Sequence, residues 1–226
     1  VTLKNDNGEI RVQVDGQLNA TTIRVPADLS SAAFLILATL IAKDAEVLIR
    51  SVGVNPTRTG VIDILKEMGA DISVDNLQMI GEEPIADIRV RSSTLHGITV
   101  DSSLVSLAID EFPVLFIAAA LANGSTRFSG LRELRVKESD RIAVMAEGLR
   151  EMGINVEESE HSAEIYGGEL AGGKVDSYGD HRVAMSFAVA GTVAKSTLRV
   201  ANIDTVDTSF PNFSDVMGYL GVDLST

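Results

Sequence analysis

An internal repeat restricts the fold of this chain more than any other feature, because one pattern of residues occurs three times along its 226 residues. Each copy begins with an aspartate, which is followed by an apolar run of 11 or 12 residues, a short strand pattern, a polar connector and an amphipathic segment. Each copy ends at a glycine 41 or 43 residues after its aspartate. The pairs are Asp28 with Gly69, Asp110 with Gly153, and Asp180 with Gly221. The chain therefore predicts three supersecondary units of one kind.

The apolar runs span residues 32–42, 112–122 and 183–194. A membrane-spanning helix needs about 20 apolar residues, so runs of this length predict helices that are buried in a protein core. Each unit is then a buried helix, a strand, a connector, an amphipathic helix and a strand. We expect an α/β domain with pseudo-threefold organisation, in which the buried helices run parallel and pack together at the centre.

Parallel helices would bring their N-termini, and with them Asp28, Asp110 and Asp180, to one end of the domain. Helix N-termini are partly positive and expose free N–H groups, so we expect this end to attract anions. Each aspartate also has a simpler interpretation as a helix N-cap, which is a common role for this residue. The spacing does not separate a capping aspartate from a catalytic one.

Composition excludes several classes of site. The chain has no cysteine, and His96, His161 and His181 lack the spacing of metal ligands. A formal net charge of -13 argues against a nucleic-acid surface, which needs a basic stripe. The first residues, "VTLKNDNGEIRVQV", read as strand and turn without the features of a signal peptide. Because the chain begins in mid-strand without Met, we expect a piece of a longer protein or a processed product.

The motif "GDHRV" places His181 and Arg182 in the first turn of an apolar helix. A cation there opposes the helix dipole by about 0.3–1 kcal/mol. An anionic ligand opposite the cation would explain the placement, and so would a salt bridge to a nearby carboxylate.

The connector "RELRVKESDR", residues 132–141, holds four of the 19 cations of this acidic chain. Lys137, Glu138 and Arg141 can clamp a phosphate or carboxylate while offering an acid or base. The simpler interpretation is a salt-bridged helix start with Ser139 as the N-cap. Arg58 of "NPTRTG" has the corresponding place in the first unit, where it is either structural or a weaker anion contact.

Six motifs together resemble the EPSP synthase family, the 3-phosphoshikimate 1-carboxyvinyltransferases. They are "VPADLSSAAF", "NPTRTG", "IDEFP", "RVKESDR", "GDHRVAMSF" and "TSFPNF". The resemblance implies an inverse αβ-barrel fold of three βαβαββ repeats around parallel buried helices, with the active site in a cleft between two such domains. It implies that residues 1–24 are the end of the first domain and the crossover. Residues 25–226 would form the C-terminal domain, with repeats at about 25–90, 91–170 and 171–226.

Members of this family transfer enolpyruvyl from phosphoenolpyruvate to the 5-hydroxyl of shikimate 3-phosphate and release phosphate, in the shikimate pathway to chorismate and aromatic amino acids. The resemblance implies that Asp110 accepts a proton at the shikimate hydroxyls. Lys137 would contact shikimate 3-phosphate and the reacting centre. Glu138 would be an acid–base group at C3 of phosphoenolpyruvate. Arg141 and Arg182 would bind phosphoenolpyruvate. His181 and Arg58 would be supporting residues.

The resemblance also implies a cytoplasmic monomer without a metal or cofactor, which binds neither nucleic acid nor membrane and whose phosphoenolpyruvate site is the one that glyphosate occupies in this family. Since half of the site would belong to the missing N-terminal domain, we expect the chain alone to be inactive or nearly so. Two alternatives stay open. One is an enzyme like UDP-N-acetylglucosamine enolpyruvyl transferase, and the other is a non-catalytic domain that keeps the fold.

Overall fold

The structure, a computed structural model, describes all residues except 1, 7, 8, 15, 18, 21, 223, 225 and 226. The chain begins with two antiparallel strands, β1 (Thr2–Asp6) and β2 (Glu9–Gln13), which confirms the predicted strand pattern. The turn predicted between them falls on residues 7 and 8, outside the described residues. The apolar side chains of Ile10 and Val12 on β2 are exposed.

The first unit contains all the predicted elements in the predicted order. They are α1 (Leu29–Ile41), β3 (Glu46–Gly53), α2 (Gly60–Glu67), β4 (Asp71–Ile80) and β5 (Glu83–Arg91). The three strands form an antiparallel sheet in the order β3-β5-β4.

The second unit repeats this arrangement. Its elements are α3 (Phe112–Ala120), β6 (Ser125–Ser129), α4 (Arg141–Glu151), β7 (Asn155–Glu158) and β8 (Ser162–Tyr166). The strands again form an antiparallel sheet, in the order β6-β8-β7. The charged connector lies between β6 and α4, and its first half is the 3-10 turn Arg132–Val136.

The third unit has the same beginning and a different end. It contains β9 (Gly173–Asp176), α5 (His181–Gly191), β10 (Leu198–Ala201), α6 (Val206–Ser209) and α7 (Phe213–Tyr219). Along the chain, β9 precedes the buried helix α5 and β10 follows it, and the two strands pair in parallel. Isolated parallel bridges between Ala27 and Val52 and between Thr99 and Arg127 mark the same crossover in the first two units.

The glycine that closes each unit is a helix C-terminal stop in all three copies. Gly69, Gly153 and Gly221 have φ angles of 95°, 86° and 84°, a left-handed conformation that favours glycine. The amide of the following residue bonds to a carbonyl five positions back, as Ala70 does to Leu65 and Ile154 to Leu149. This is the Schellman arrangement, which satisfies the last carbonyls of a helix.

The three buried helices pack against one another in every pairing of α1, α3 and α5. On α3, Phe112 and Phe116 also pack on Phe128 of β6, with ring centroids 5.5 and 5.2 Å from it. Each of these rings is at most 1% exposed, and burial of such a side chain stabilises the fold by about 1.5–3 kcal/mol. The centre of the domain is therefore the predicted bundle of apolar helices.

Contacts between the first turns of the helices show that their N-termini meet at one end. Ser30 at the start of α1 bonds to Glu111 immediately before α3, and Arg182 at the start of α5 lies 3.4 Å from the same carboxylate. The prediction of parallel helices with converging N-termini is confirmed.

Two local predictions are wrong. The N-cap of α4 is Asp140, whose side chain accepts from the Ala143 amide at 3.0 Å, while the Ser139 hydroxyl donates to Asp180 at 3.1 Å. Asp110 is not an N-cap, because α3 begins two residues after it, whereas α1 and α5 begin one residue after their aspartates, and Glu111 takes the cap position. Asp28 and Asp180 do cap α1 and α5.

Candidate functional site

The converging helix N-termini and the connector of the second unit bring five of the predicted site residues into one cluster. They are Asp110, Lys137, Glu138, Arg141 and Arg182. The helices fix the positions of Asp110 and Arg182, and the connector carries the other three to the same end. We call this group of five residues the anion cluster.

Asp110 lies at the centre of the anion cluster. Its carboxylate oxygens are 3.5 Å from Lys137 Nζ, 3.6 Å from Arg141 Nη1 and 3.9 Å from Arg182 Nη2. Charge-assisted hydrogen bonds are normally shorter, about 2.7–2.9 Å. The side chain is 41% exposed, so this carboxylate is accessible and loosely held by three cations. Such geometry suits a group that takes a proton from a ligand, because catalytic contacts are often long before the ligand binds.

Arg141 is the most deeply buried charged side chain of the cluster, at 1% exposure. Its Nε donates to Asp180 at 2.8 Å and its Nη2 donates to Glu138 at 2.6 Å. Its Nη1 is buried and has no hydrogen-bond partner among the described residues, with Asp110 beyond hydrogen-bonding range at 3.6 Å. A buried donor without a partner carries a free-energy cost, which an anionic ligand could remove.

Asp180 anchors this arrangement from inside the protein. Burial raises its pKa, but the Arg141 guanidinium and the amides of Val183 and Arg182 outweigh burial, so the net effect lowers the pKa. The same carboxylate therefore caps α5 and holds Arg141 in place.

Arg182 reaches back to the second unit. Its Nη1 donates to the Asp110 carbonyl oxygen at 3.1 Å and lies 3.4 Å from Glu111 Oε1. The simpler interpretation of "GDHRV", a salt bridge to a carboxylate, is therefore present in the structure. It does not exclude an anion, because Nη2 is directed toward the cluster and lies 3.9 Å from Asp110.

Lys137 is held by a residue outside the predicted site. Its Nζ lies 2.9 Å from Glu133, one helical turn earlier, and this hydrogen bond is the main cause of a raised pKa. Lys137 is therefore a permanent cation between Glu133 and Asp110.

His181 and Arg58 border the anion cluster. His181 is the first residue of α5, and burial, followed by the charge of Arg182, lowers the pKa of its imidazole. Arg58 donates to the Ser30 hydroxyl at 2.9 Å and lies 3.4 Å from Asp28. It is more exposed than the arginines of the cluster, at 54% against 1% and 17% for Arg141 and Arg182.

Comparison with known proteins agrees with the observed fold. The family described as EPSP synthase (3-phosphoshikimate 1-carboxyvinyltransferase) matches residues 1–217. The chain belongs to the EPSP synthase family. It is 52% identical over 207 residues to the 3-phosphoshikimate 1-carboxyvinyltransferase of Legionella pneumophila (strain Lens), which covers 92% of this chain and 48% of that protein. The chain spans about half the length of the curated relatives it matches.

Solved structures give the same result for the fold. EPSP synthase from Acinetobacter baumannii superposes with a TM-score of 0.94 and 47% identity, over 98% of this chain and 52% of that one. The enolpyruvyl transferase NikO from Streptomyces tendae superposes with a TM-score of 0.63 at 16% identity, over 86% of this chain and 43% of that one, and so shares the fold.

Three polar residues around the site of this EPSP synthase family member are absent from the sequence-based predictions. Glu111 and Ser30 bond to each other across 81 positions of the chain at 2.5 Å, and Glu133 holds Lys137. Glu111 had a visible signal, because it is a carboxylate directly before an apolar run. Ser30 had none, since a serine near a helix start is ordinary.

Two further searches cover only the described part of the chain. None of its helices has the length and hydrophobicity that crossing a membrane requires. Nor does that part contain a cluster of three or more histidine, aspartate or glutamate side chains arranged to hold a metal ion.

Proposed function

We propose that this chain is the C-terminal domain of a 3-phosphoshikimate 1-carboxyvinyltransferase, with residues 25–226 forming the domain and residues 1–24 leading in from the first. The whole enzyme would transfer enolpyruvyl from phosphoenolpyruvate to the 5-hydroxyl of shikimate 3-phosphate. The observation that carries this proposal is the anion cluster, in which Lys137, Arg141 and Arg182 surround an accessible Asp110 carboxylate at 3.5–3.9 Å. Family membership supplies the reaction.

The charges of the anion cluster suit two polyanionic substrates. Arginine binds carboxylate and phosphate through two parallel hydrogen bonds, which lysine cannot reproduce. Arg141 and Arg182 would bind phosphoenolpyruvate, and Lys137 would contact shikimate 3-phosphate near the reacting centre. In the free protein Glu138 and Asp180 occupy two nitrogens of Arg141. Because Glu138 is half exposed and Asp180 is buried, an incoming anion would displace Glu138.

The chemistry then uses two carboxyl groups. Asp110 would accept the proton of the 5-hydroxyl as that oxygen bonds to C2 of phosphoenolpyruvate. Glu138, displaced from Arg141 and protonated from solvent, would give that proton to C3 of phosphoenolpyruvate. Phosphate would then leave the tetrahedral intermediate with the proton that Asp110 holds. C3 would return its proton to Glu138, which regenerates the enolpyruvyl double bond. General acid–base groups of this kind contribute about 10²–10⁴-fold in rate.

The experiment measures phosphate release from phosphoenolpyruvate and shikimate 3-phosphate. This chain is assayed alone and as a chimera in which it replaces the matching half of the Legionella pneumophila enzyme. We expect turnover in the chimera and none in the chain alone. The parent Legionella enzyme is the positive control, and UDP-N-acetylglucosamine as the acceptor tests the related transferase activity.

An inactive chimera could reflect a poor junction, so ligand binding to the chain is measured as well. Titration of the isotope-labelled chain with phosphoenolpyruvate, followed by NMR, should shift resonances of Arg141 and Arg182. An inactive chimera together with unshifted arginines would reject the proposal in favour of a non-catalytic domain. A cytoplasmic location and a monomeric state remain predictions from the resemblance.

A further inference from the structure

Glu111 is a buried carboxylate that the proposed reaction does not use. It is 5% exposed and precedes α3, where its side chain makes no capping hydrogen bond. Burial raises the pKa of its carboxyl group above the ordinary value, although the Ser30 hydrogen bond and the charge of Arg182 act in the opposite direction. A buried carboxylate costs free energy unless it is paired, so its position calls for a specific role.

The contacts of Glu111 join all three units of the fold. Arg58 donates to the Ser30 hydroxyl at 2.9 Å, and this hydroxyl donates to Glu111 Oε1 at 2.5 Å. Arg182 Nη1 lies 3.4 Å from the same oxygen. Ser30 and Arg58 belong to the first unit, Glu111 to the second and Arg182 to the third. The chain of contacts therefore crosses the end of the bundle where the anion cluster lies.

The two ends of the Arg182 guanidinium face different surroundings. Nη1 is directed into the protein, toward Glu111 and the Asp110 carbonyl oxygen. Nη2 is directed toward the cluster, 3.9 Å from the Asp110 carboxylate. If Glu111 were neutral, the nearest carboxylate for Arg182 would be that of Asp110. The guanidinium would then move onto the group that the proposed reaction needs as a free proton acceptor.

We propose that Glu111 is a positioning residue for Arg182, and that the Ser30 hydroxyl fixes the carboxylate that does this. Glu111 holds one end of the guanidinium inside the protein, so that the other end is presented to an anionic ligand and away from Asp110. The identity of that ligand as phosphoenolpyruvate rests on the proposed function. The positioning itself does not.

The first measurement is independent of activity. Rotation of the Arg182 guanidinium about its Nε–Cζ bond is followed by NMR in the isotope-labelled chain, with the signal assigned from its loss in Arg182→Lys. We expect Glu111→Gln to speed this rotation about tenfold, because a hydrogen bond to a charged group is weakened. Ser30→Ala should speed the rotation by a smaller factor. Ser30→Thr, which keeps the hydroxyl, should leave the rotation as slow as in the native chain.

The second measurement is kinetic and uses the chimera. Glu111→Gln should raise the KM for phosphoenolpyruvate about tenfold and leave the KM for shikimate 3-phosphate within about twofold. The matched control is Glu158→Gln. Glu158 lies on β7, outside the anion cluster, and its partly buried carboxylate pairs with two arginines, Arg135 and Arg150. This substitution should change neither KM.

The results separate this inference from the proposed function. Unchanged rotation in Glu111→Gln overturns the inference, even if the wild-type chimera turns over. Faster rotation, together with an inactive wild-type chimera and arginine resonances that phosphoenolpyruvate does not shift, upholds the positioning role while the proposed function fails alone. Equal increases in both KM values, or an equal effect of Glu158→Gln, would make Glu111 a structural residue and also overturn the inference.

Discussion

The aspartate at the start of the first unit and the equivalent aspartate of the second unit have different contacts. Asp28 accepts from the Ser31 amide at 2.9 Å and caps α1. Asp110 stands at the equivalent place, but α3 begins one residue later, so the cap position falls to Glu111. Asp110 is thereby released from capping and faces three cations, whereas among the described residues Asp28 has a salt bridge to one cation, the exposed Arg58. A shift of one residue in the helix start therefore separates a carboxylate that caps a helix from one that faces three cations.

The largest expected effect comes from making these two aspartates neutral in the chimera. Asp110→Asn should lower kcat about 10³-fold, since the amide cannot accept the hydroxyl proton. Asp28→Asn should leave kcat within about twofold, because asparagine caps a helix as well as aspartate does. The measurement is phosphate release at saturating substrate. Comparable losses in the two variants would show that Asp110 has no role beyond structure.

The second effect is on stability and compares Asp28 with Asp180, the two caps. Asp180→Asn leaves the buried Arg141 without its innermost charge partner, so the free energy of unfolding should fall by about 3 kcal/mol. Asp28→Asn should cost less than about 1 kcal/mol, because its ion pair with Arg58 is exposed. Urea unfolding at pH 7 measures both. A loss for Asp28→Asn as large as that for Asp180→Asn would contradict the difference between the caps.

The same variant tests the pKa of Asp180 in acid. Because the pKa of this carboxyl is lowered in the folded chain, its contribution to stability is present above the ordinary aspartate range and is lost as the pH falls through the lowered pKa. The free energies of unfolding of the native chain and Asp180→Asn should therefore converge in acid. A constant gap at every pH would show that Asp180 acts through packing and capping alone.

The repeat makes most of the fold predictable, because its signals are local. Apolar runs predict buried helices from composition, and Gly69, Gly153 and Gly221 stop helices through their own backbone conformation. One local signal, a cluster of glycines, has a second physical explanation. The glycine-rich stretch 167–173 suggests a flexible loop, but a Cβ at Gly167 would lie 1.7 Å from the Ala122 carbonyl oxygen and the Gly167 amide bonds to Gly124. Glycine is there for close backbone approach.

The site is less predictable, because its geometry depends on contacts between units. The sequence groups the four cations of the connector together, yet Arg135 turns away and pairs with Asp140 and Glu158. Arg141 is buried, and its buried charge partner is Asp180, 39 residues later. The sequence identifies which residues are charged near the end of the bundle. It does not identify which of these side chains are held in salt bridges within the protein and which are accessible to a ligand.

The smallest expected effect concerns the residue after each cap, which is Leu29 in the first unit and His181 in the third. Burial and then Arg182 lower the pKa of His181, while Asp180 and Glu138 act in the opposite direction and Arg141 adds to the lowering. Below the ordinary imidazole pKa, near 6.5, the unfolded chain then binds the proton more readily than the folded one. The free energy of unfolding should therefore fall as the pH drops below 6.5.

His181→Leu gives the third unit the residue of the first and tests this slope. The variant should lose less stability than the native chain between pH 7.5 and pH 5.5, because it no longer carries a group that prefers to take up a proton in the unfolded state. Urea unfolding at the two pH values measures the difference. Equal losses would mean that His181 takes up its proton as readily in the folded chain as in the unfolded one. Burial and the charge of Arg182 would then make no measurable contribution to the pH dependence of the free energy of unfolding.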